Sequence, residues 1–468
     1  MQRFVWTDDQ VRTALELAPA EVDTVPFRRV TTDSRSAQQG DLFVALQGDK
    51  FDGHDYVADA LRRGARGAVV SRSVQVDDET RVYEVRDTLE ALGHLAGYRR
   101  SHLDAAVVGI TGSSGKTGTK DLTRAALEGT HRLHATAGNR NNRIGLPLTL
   151  LEVPDDADVV VLEMGTNEPG EIQALTEIAD PRIGVVTTVS ETHIEKLGSL
   201  DGVLREKLDL LSGLGSDGVA VVGDEPVILP EAALRLRPDT LVTGLSERAH
   251  QEFRPGQPTM DRGGCWRFLW RGESVHLLIP GLHSLRNALL ALTVAELLEV
   301  PAAEAAQRVS RVKAGELRGE ILHVGGLTLI LDCYNANPQS MHAALELLEA
   351  IEPGRPKVAF LGTMLELGVR TDDLHTALLA DARAMKVDVV VATGAFAAVA
   401  NTREPVGEER SLVAVSDPLD AYRALLPRLA GDEVILLKAS RGVVLEQVIP
   451  LFEHDFGGDE AGPREGRS

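Results

Sequence analysis

The stretch from Ala105 to Gly129, AAVVGITGSSGKTGTKDLTRAALEG, constrains the fold more than any other part of the chain. An apolar run that ends at Ile110 predicts a buried strand, a loop of glycine and serine follows, and Lys116 and Thr117 open a helical pattern. In such a strand–loop–helix, backbone N–H groups and the helix N-terminus face a phosphate, the lysine binds outer phosphates and the threonine hydroxyl reaches Mg2+. The segment therefore predicts a nucleotide site, with ATP as the ligand.

The spacing of this loop departs from the strict pattern G-x-x-x-x-G-K-[ST], because Ile110 stands where the first glycine belongs. The actual spacing is G-x-x-G-x-x-G-K-T, from Gly109 to Thr117. A glycine-rich turn between a strand and a helix can also be a simple break in the chain, but the Lys-Thr pair favours phosphate binding. The residues of the predicted phosphate loop are Gly112, Ser113, Ser114, Gly115, Lys116, Thr117 and Gly118.

The composition excludes several classes of protein. The net charge is −21, which argues against nucleic acid or an anionic membrane as a partner. No apolar run reaches the length of a membrane span, and the first residues lack the layout of a signal peptide. Cys265 and Cys333 are too few for a disulfide framework or a thiolate metal site. We therefore expect a cytoplasmic protein without membrane insertion. A monomer is a separate expectation, which the composition does not decide.

The alternation of apolar runs and helical patterns predicts three α/β domains. Short apolar runs around one helical stretch predict a small N-terminal α/β domain. Buried β-branched strands such as 159–164 and 183–189 predict a central domain with a mostly parallel sheet. After a hinge at 313–320 the alternation restarts, which predicts a doubly wound, Rossmann-like C-terminal domain. The predicted domains are 1–100, 101–315 and 316–455, followed by a tail at 456–468 with the composition of a disordered segment.

Two side chains follow neighbouring strands of the central domain. Glu163 ends the strand that comes after the phosphate loop, where a carboxylate could hold Mg2+ directly or through water. The alternative is a glutamate that faces solvent. His193, in SETHIE, could ligate a divalent ion or contact a phosphate, and the alternative is an ordinary surface histidine.

Lys207 lies in a predicted helix over residues 201–212 and shares one face with Val203 and Leu211. Apolar neighbours four residues away on both sides desolvate a lysine, which lowers its pKa and favours the neutral amine. A neutral amine reacts with CO2 to give a carbamate, an anionic ligand for Mg2+. On the pattern alone, the favoured alternative is a stem that packs while the ammonium reaches water.

Polar residues also follow a strand of the C-terminal domain. Asp332 ends the strand 327–331, where an acid often accepts a hydrogen bond from a ribose hydroxyl. Asn337 and Pro338 predict the N-cap and the first residue of a helix, although both are turn residues as well. The N-terminal loops TDSR and GHD carry donors for an anion, but their composition is also that of ordinary loops.

Together these motifs resemble those of the Mur ligases of peptidoglycan synthesis, from about Arg29 to Leu451. The branch of the family that they resemble most adds D-alanyl-D-alanine to UDP-N-acetylmuramoyl-tripeptide. The phosphate loop and the histidine segment are common to the whole family, whereas GNRNNRIGLPLTLL, DCYNANPQSM and MLELG are typical of that branch. The other landmarks are TDSRSAQQGDLFVALQG, FDGHDYV, EMGTNEPGEI, THIEKLGSLDGV, PGLHSLRNALLA and KASRG.

The resemblance implies a UDP-binding N-terminal domain, a central P-loop ATPase domain and a C-terminal Rossmann-like domain. It implies an ATP-dependent amide ligase that works through an acyl phosphate, with Mg2+ as a cofactor and with Lys207 in carbamylated form. Lys116, Lys207, His193 and Glu163 would be catalytic, and Thr117, Glu163, His193 and the carbamate would lie at the metal. Asn287, Arg318 and Asp332 would bind the nucleotide. The residues implied for the peptide substrates and UDP are Ser34, Arg35, Asn139, Asn142, Tyr334, Asn335, Asn337, Lys438, Ser440 and Arg441.

Some positions depart from the family pattern. Gly118 replaces a threonine, Thr188 stands where asparagine is common, Ser284 replaces an asparagine and Thr363 replaces an aspartate. None of these departures removes a core catalytic group, but Thr188 and Ser284 leave secondary nucleotide and metal contacts open. A sister ligase that adds a single amino acid, or one that works on folate, stays an alternative, as does an ATP-binding regulator without ligase activity.

Overall fold

The computed structural model describes residues 4–20, 25–48, 51–76, 81–402 and 412–458. These residues form three α/β units in succession, each built around its own sheet. Phe456, the first residue of the predicted disordered tail, still belongs to the last helix, and the part of the tail after residue 458 lies outside the described residues. Within the described ranges, no helix combines the length and the apolar character that a bilayer crossing requires.

The N-terminal unit is a sheet of four parallel strands in the order β1-β2-β3-β4 with helices packed against it. Its elements are α1 (Asp8–Ala14), β1 (Val30–Thr31), β2 (Leu42–Val44), α2 (Val57–Arg62), β3 (Gly67–Val70), β4 (Arg81–Glu84) and α3 (Thr88–Arg100). The buried Tyr83 hydroxyl donates to Asp8 Oδ1 at 2.6 Å, so this buried carboxylate has a partner. Helix α3 leads directly into the central unit.

The central unit holds a six-stranded parallel sheet, a small antiparallel sheet and helices on both faces. Its elements are β5 (Ala106–Thr111), α4 (Lys116–Leu127), β6 (Leu133–Ala135), α5 (Gly145–Leu151), β7 (Val159–Glu163), α6 (Glu171–Ala179), β8 (Ile183–Val186), α7 (Ile194–Leu197), α8 (Leu200–Ser212), β9 (Val219–Gly223), α9 (Ile228–Leu236), β10 (Leu241–Thr243), β11 (Gly256–Met260), β12 (Cys265–Trp270), β13 (Glu273–Pro280), α10 (Leu282–Leu297) and α11 (Ala302–Val309).

The strand order of the large central sheet, β10-β9-β8-β5-β7-β6, decides where the chemistry-bearing loops meet. Strand β5 lies between β7 and β8, and all three run parallel. The loops at their carboxyl ends therefore lie side by side. This order brings together the phosphate loop after β5, Glu163 at the end of β7 and His193 after β8.

The C-terminal unit has a six-stranded sheet in the order β14-β15-β19-β16-β17-β18, with apolar cores on both faces. Its elements are β14 (Glu320–Val324), β15 (Leu327–Asp332), α12 (Pro338–Ala350), β16 (Lys357–Leu361), α13 (Thr371–Ala384), β17 (Val389–Ala392), α14 (Ala395–Asn401), β18 (Leu412–Ala414), α15 (Pro418–Leu425), β19 (Val434–Lys438) and α16 (Ile449–Phe456). Asn337 caps α12 through its side chain and Pro338 is its first residue, as the sequence predicts.

Two boundaries differ from the sequence prediction. The strand predicted over 183–189 ends at Val186, because the chain turns toward the phosphate loop, where the Thr188 carbonyl accepts from the Ser113 N–H at 2.8 Å. The hinge predicted at 313–320 runs into β14, an edge strand antiparallel to β15. The residues of β14 are half-exposed and do not form the continuous apolar run that is typical of a buried strand. The sequence pattern therefore does not predict this strand.

Candidate functional site

A cleft of about 530 Å³ opens where the carboxyl ends of the central sheet face those of the C-terminal sheet. The central unit contributes the phosphate loop and the ends of β7, β8 and β9, and the C-terminal unit contributes the ends of β15 and β19. Seventeen of the residues predicted from the sequence line this cleft. They are Ser113, Ser114, Gly115, Lys116, Thr117, Gly118, Asn139, Asn142, Glu163, His193, Asn287, Arg318, Asp332, Tyr334, Asn335, Asn337 and Lys438.

The phosphate loop has the tight geometry that its glycines predict. Gly112 and Gly115 have φ of 146° and 82°, and a Cβ on them would meet Thr187 Oγ1 at 2.0 Å and Asn287 Oδ1 at 2.5 Å. Only glycine fits such close approaches at positive φ. The loop thus packs closely against Thr187, which directly follows β8, and against Asn287 of α10.

Lys116 begins α4, and its Nζ donates to the Gly112 carbonyl at 2.7 Å. Burial lowers the pKa of this lysine, the Glu163 carboxylate opposes that shift, and the Arg318 charge adds to it. Lys116 therefore lies within the field of a carboxylate, beside the loop that would cradle phosphates. Thr117, the next residue, also lines the cleft.

Glu163 ends β7 with only 3% of its surface exposed, which excludes the solvent-facing alternative. Its Oε1 accepts from Asn141 Nδ2 at 2.8 Å, whereas its Oε2 is buried without a hydrogen-bond partner. A buried carboxylate oxygen without a partner is costly, and a cation relieves that cost. The donor set therefore fits Mg2+ beside Thr117 and His193.

The described residues contain no cluster of three or more histidine, cysteine or acidic side chains that could hold a metal by themselves. This agrees with Mg2+, which binds through one or two carboxylates and completes its shell with water and substrate phosphates. Sequence reasoning missed Asn141, which orients Glu163. It lies in the same GNRNN loop as Asn139 and Asn142, and a pattern of amides alone does not say which one faces the carboxylate.

His193 lies at the boundary with the C-terminal unit. It has φ of 52°, an unusual conformation for a residue other than glycine, and its Nδ1 lies 2.7 Å from Glu366 Oε2. This contact lowers the pKa of the Glu366 carboxyl. Nearby, Arg370 Nη1 donates to Glu191 Oε1 at 2.6 Å. The histidine loop thus joins the two units as well as lining the cleft.

Lys207 is buried in α8, with 1% of its surface exposed, so the alternative in which its ammonium reaches water is wrong. Burial lowers its pKa well below the ordinary value, and the nearby charge of Lys116 lowers it further, while Glu206 and Glu171 oppose the shift. The neutral amine that carbamate chemistry needs is therefore favoured. Lys207 does not itself line the cleft.

On the C-terminal side of the cleft, charged side chains contact one another and a neighbouring backbone carbonyl. Asp332 Oδ2 lies 2.7 Å from Lys438 Nζ, which also donates to the Asn335 carbonyl at 2.7 Å. The Arg318 guanidinium lies over the Tyr334 ring, 3.6 Å from its centroid. These contacts order the segment that precedes α12 before any ligand arrives.

Four positions that depart from the family pattern have structural explanations. Gly118 faces Asn287 Nδ2, which would lie 2.8 Å from a Cβ there, so the missing side chain makes room for the asparagine. The Ser284 hydroxyl donates to the Pro280 carbonyl, and Thr363 Oγ1 accepts from the Ala395 N–H at the start of α14. Thr188 accepts from a side chain of the C-terminal unit, Gln339.

Five predicted site residues other than Lys207 do not line the cleft. The Gly112 carbonyl accepts from Lys116 Nζ, but Gly112 itself is not part of the cleft lining. Ser440 is buried, with its hydroxyl donating to Ala336 and accepting from the Leu365 N–H. The remaining three are Ser34 and Arg35, in the N-terminal unit, and Arg441, which pairs with Glu446.

Comparison with known proteins gives one consistent result. Residues 26–100 match the Mur ligase family catalytic domain, residues 110–295 the Mur ligase middle domain, and residues 317–441 the Mur ligase glutamate ligase domain. The UDP-N-acetylmuramoyl-tripeptide–D-alanyl-D-alanine ligase of Bacillus subtilis is 35% identical, over 92% of this chain and 94% of that protein. The Escherichia coli ligase of the same name is 33% identical, over 91% and 94%.

Solved structures agree with the sequence relatives. A crystal structure of MurF from Acinetobacter baumannii superposes with a TM-score of 0.87 and 28% identity, over 97% of this chain and all of that one. The MurF ligase from Thermotoga maritima in complex with ADP superposes with a TM-score of 0.79 and 28% identity, over 92% and 98%. The three-unit architecture is therefore that of these ligases.

Proposed function

This chain belongs to the Mur ligase family, and from that premise we propose that it joins D-alanyl-D-alanine to UDP-N-acetylmuramoyl-tripeptide at the expense of ATP, in peptidoglycan precursor synthesis. The observation that supports the proposal is that the phosphate loop and the DCYNANPQSM segment line opposite sides of one cleft. A ligase needs the nucleotide and the acceptor amine to meet at one carboxyl group. The cytoplasmic location and the monomeric state stay predictions.

The reaction proceeds in two transfers. A carboxylate oxygen of the tripeptide attacks the γ-phosphorus of ATP, the bond from that phosphorus to the bridging oxygen of ADP breaks, and an acyl phosphate forms. The amine of D-alanyl-D-alanine then attacks the acyl carbon, phosphate leaves with the electron pair of the C–O bond, and the amine loses a proton. The protein positions the groups and neutralises phosphate charge, which is the work that Lys116 and the loop amides are placed to do.

Mg2+ would be held by Thr117, Glu163 and His193, with Glu163 Oε2 as the carboxylate ligand. When bound, the ion supplies positive charge to the phosphate oxygens. Asn141 keeps the other carboxylate oxygen engaged, so that Oε2 stays directed to the cation. The nucleotide's base and ribose would lie between Asn287, Arg318 and Asp332.

We propose that Lys207 forms a carbamate. Its neutral Nζ attacks the carbon of CO2, an N–C bond forms, one C=O electron pair moves to oxygen, and a proton leaves the nitrogen. The product is an anion on a side chain whose burial disfavours the ammonium form. Such an anion near Lys116 would offset that lysine's charge and add a ligand at the metal.

The acceptor side of the proposal rests on the residues that follow β15 and β19. Tyr334, Asn335 and Asn337 line the cleft together with Lys438 and would face the dipeptide. Ser440 and Arg441 follow Lys438 and stay candidates for the same role. Asn139 and Asn142 would line the path of the tripeptide, and Ser34 and Arg35 would contact its UDP part. Closure of the C-terminal unit over the cleft would exclude water from the acyl phosphate.

The test measures phosphate release from ATP with UDP-N-acetylmuramoyl-tripeptide, with and without D-alanyl-D-alanine, followed by the mass of the product. We expect release that requires both substrates and a product heavier by the dipeptide less water. Release supported by a single amino acid, or by a folate with glutamate, would assign the chain to a sister ligase. ATP binding without product from any muramoyl peptide would favour a regulator.

A further inference from the structure

The side chain of Gln339 crosses the boundary between the two units that form the cleft. Its Oε1 accepts from Ser114 Oγ in the phosphate loop at 3.1 Å, and its Nε2 donates to Thr188 Oγ1 after β8 at 2.8 Å. All three residues line the cleft and all three are half-buried. One amide group thus contacts both segments that flank the phosphate-binding position.

The two segments that Gln339 contacts are also hydrogen-bonded directly to each other. The Ser113 N–H donates to the Thr188 carbonyl at 2.8 Å, and Thr187 Oγ1 donates to the Ser114 carbonyl at 2.5 Å. Gln339 therefore adds a group of the C-terminal unit to a hydrogen-bond network within the phosphate site. In such a network the position of one member depends on the others.

Gln339 is also joined to the acceptor side. It is the second residue of α12, directly after Pro338, and the helix is capped by Asn337, whose side chain accepts from the Ser340 N–H. The segment just before the cap carries Tyr334 and Asn335, which face the same cleft. A displacement of this helix start would therefore move the Gln339 amide relative to the phosphate loop.

We propose that Gln339 is a positioning residue that couples the acceptor segment to the phosphate loop, through Ser114 and Thr188. The inference rests on the proposed ligase function. The bonds of Gln339 hold the Ser114 and Thr188 side chains in one arrangement when the C-terminal unit is seated, in addition to the bonds within the central unit. Thr188, where the family pattern has asparagine, serves here as the hydroxyl partner of the Gln339 amide.

The experiment compares the full-length protein with Gln339→Ala, Thr188→Val and the double variant, in steady-state ligation with ATP, UDP-N-acetylmuramoyl-tripeptide and D-alanyl-D-alanine. We expect each single variant to lower kcat about tenfold, with KM for the UDP substrate unchanged. The double variant should lose no more than Gln339→Ala alone, because the bond that Thr188→Val removes is one of the two that Gln339→Ala removes. Multiplicative losses, or a Gln339→Ala kcat within twofold of the unsubstituted protein, would overturn the proposal.

Arg370→Ala is the matched control, since it removes another contact between the units, Arg370 to Glu191, without touching the phosphate loop. We expect its kcat to stay within about threefold of the unsubstituted protein. An equal tenfold loss would mean that any contact between the units has this effect and would overturn a specific role for Gln339. Failure of the unsubstituted protein to ligate the dipeptide would instead defeat the proposed function, and the two failures are thereby distinguished.

Discussion

The cleft and the N-terminal loop around Arg35 differ in how their polar side chains are held. Glu163, at the cleft, keeps a buried oxygen without a hydrogen-bond partner, and Lys207, which does not line the cleft, is buried in α8. At the N-terminal loop, the Arg35 side chain is 85% exposed and already bonded to Asp33 two residues away, at 2.8 Å. Burying unpaired polar groups costs free energy, so a protein retains them where a ligand or a reaction uses them. Arg35 is exposed and already paired, so its environment does not indicate a ligand. Its proposed role rests only on the family resemblance.

The strongest test of this contrast is Lys116→Ala. We expect ligation to fall by about 10³-fold or more, because the loop loses the cation that offsets developing phosphate charge. The fold should persist, since the lysine's described bond is to a loop carbonyl and not to the core. Lys386→Ala, at an exposed lysine of the C-terminal unit, is the control. Near-normal turnover of a folded Lys116→Ala protein would refute the phosphate-loop assignment.

Lys207→Ala should lower ligation by about 10²-fold, because an anion at the metal is lost. Acetate or formate should partly restore activity by occupying the space that the side chain leaves. Lys207→Met supplies the control, since its side chain fills that space and leaves no room for the small carboxylate. Equal activity of both variants at every acetate concentration would speak against the carbamate.

The pH dependence of stability tests the burial of Lys207 separately. Its native pKa is well below the unfolded value of 10.5, so the unfolded chain binds more protons between those two values. The free energy of unfolding should then rise with pH across that window, by up to about 1.4 kcal/mol per pH unit from this group, and fall again as the pH is lowered. Lys207→Met should lack this component in denaturant unfolding at pH 7 and pH 9 without metal or added CO2. Identical slopes for the two proteins would show that Lys207 is charged when folded.

Asn141→Ala should lower ligation about tenfold, because Glu163 loses the donor that orients it toward the cation. We expect the Mg2+ concentration for half-maximal activity to rise in the same variant. Asn167→Ala is the control. Asn167 lines the same cleft, but it takes no part in the hydrogen bond between Asn141 and Glu163. An unchanged Mg2+ dependence would remove Asn141 from the metal site.

The smallest effect is expected at the N-terminal loop. Arg35→Ala should raise KM for the UDP substrate about threefold and leave kcat and KM for ATP unchanged, since an exposed ion pair contributes little. Isothermal titration with UDP-N-acetylmuramoyl-tripeptide would check the change in affinity. A loss of kcat as large as that of Lys116→Ala would break the contrast between the two regions.

Particular elements show how far the sequence alone reaches. Strand β7 with its terminal Glu163 and the cap at Asn337 are where the local sequence pattern predicts them. The pattern does not predict strand β14 because its residues are half-exposed. It predicts too long a strand over 183–189 because Thr187 and Thr188 continue an apolar, β-branched run. For Lys207, helical spacing correctly predicted the apolar neighbours but not how deeply the amine is buried.

The sequence by itself determined the order of strands and helices, the phosphate loop and the strand ends that carry polar residues. These features depend on periodicity and loop chemistry over a few neighbouring residues. Only the tertiary structure decided which amide holds Glu163 and which side chain reaches the loop from the C-terminal unit. The bond from Asn141 spans 22 residues of chain and the one from Ser114 to Gln339 spans 225. Such contacts depend on how the sheets are ordered and packed, which no local pattern contains.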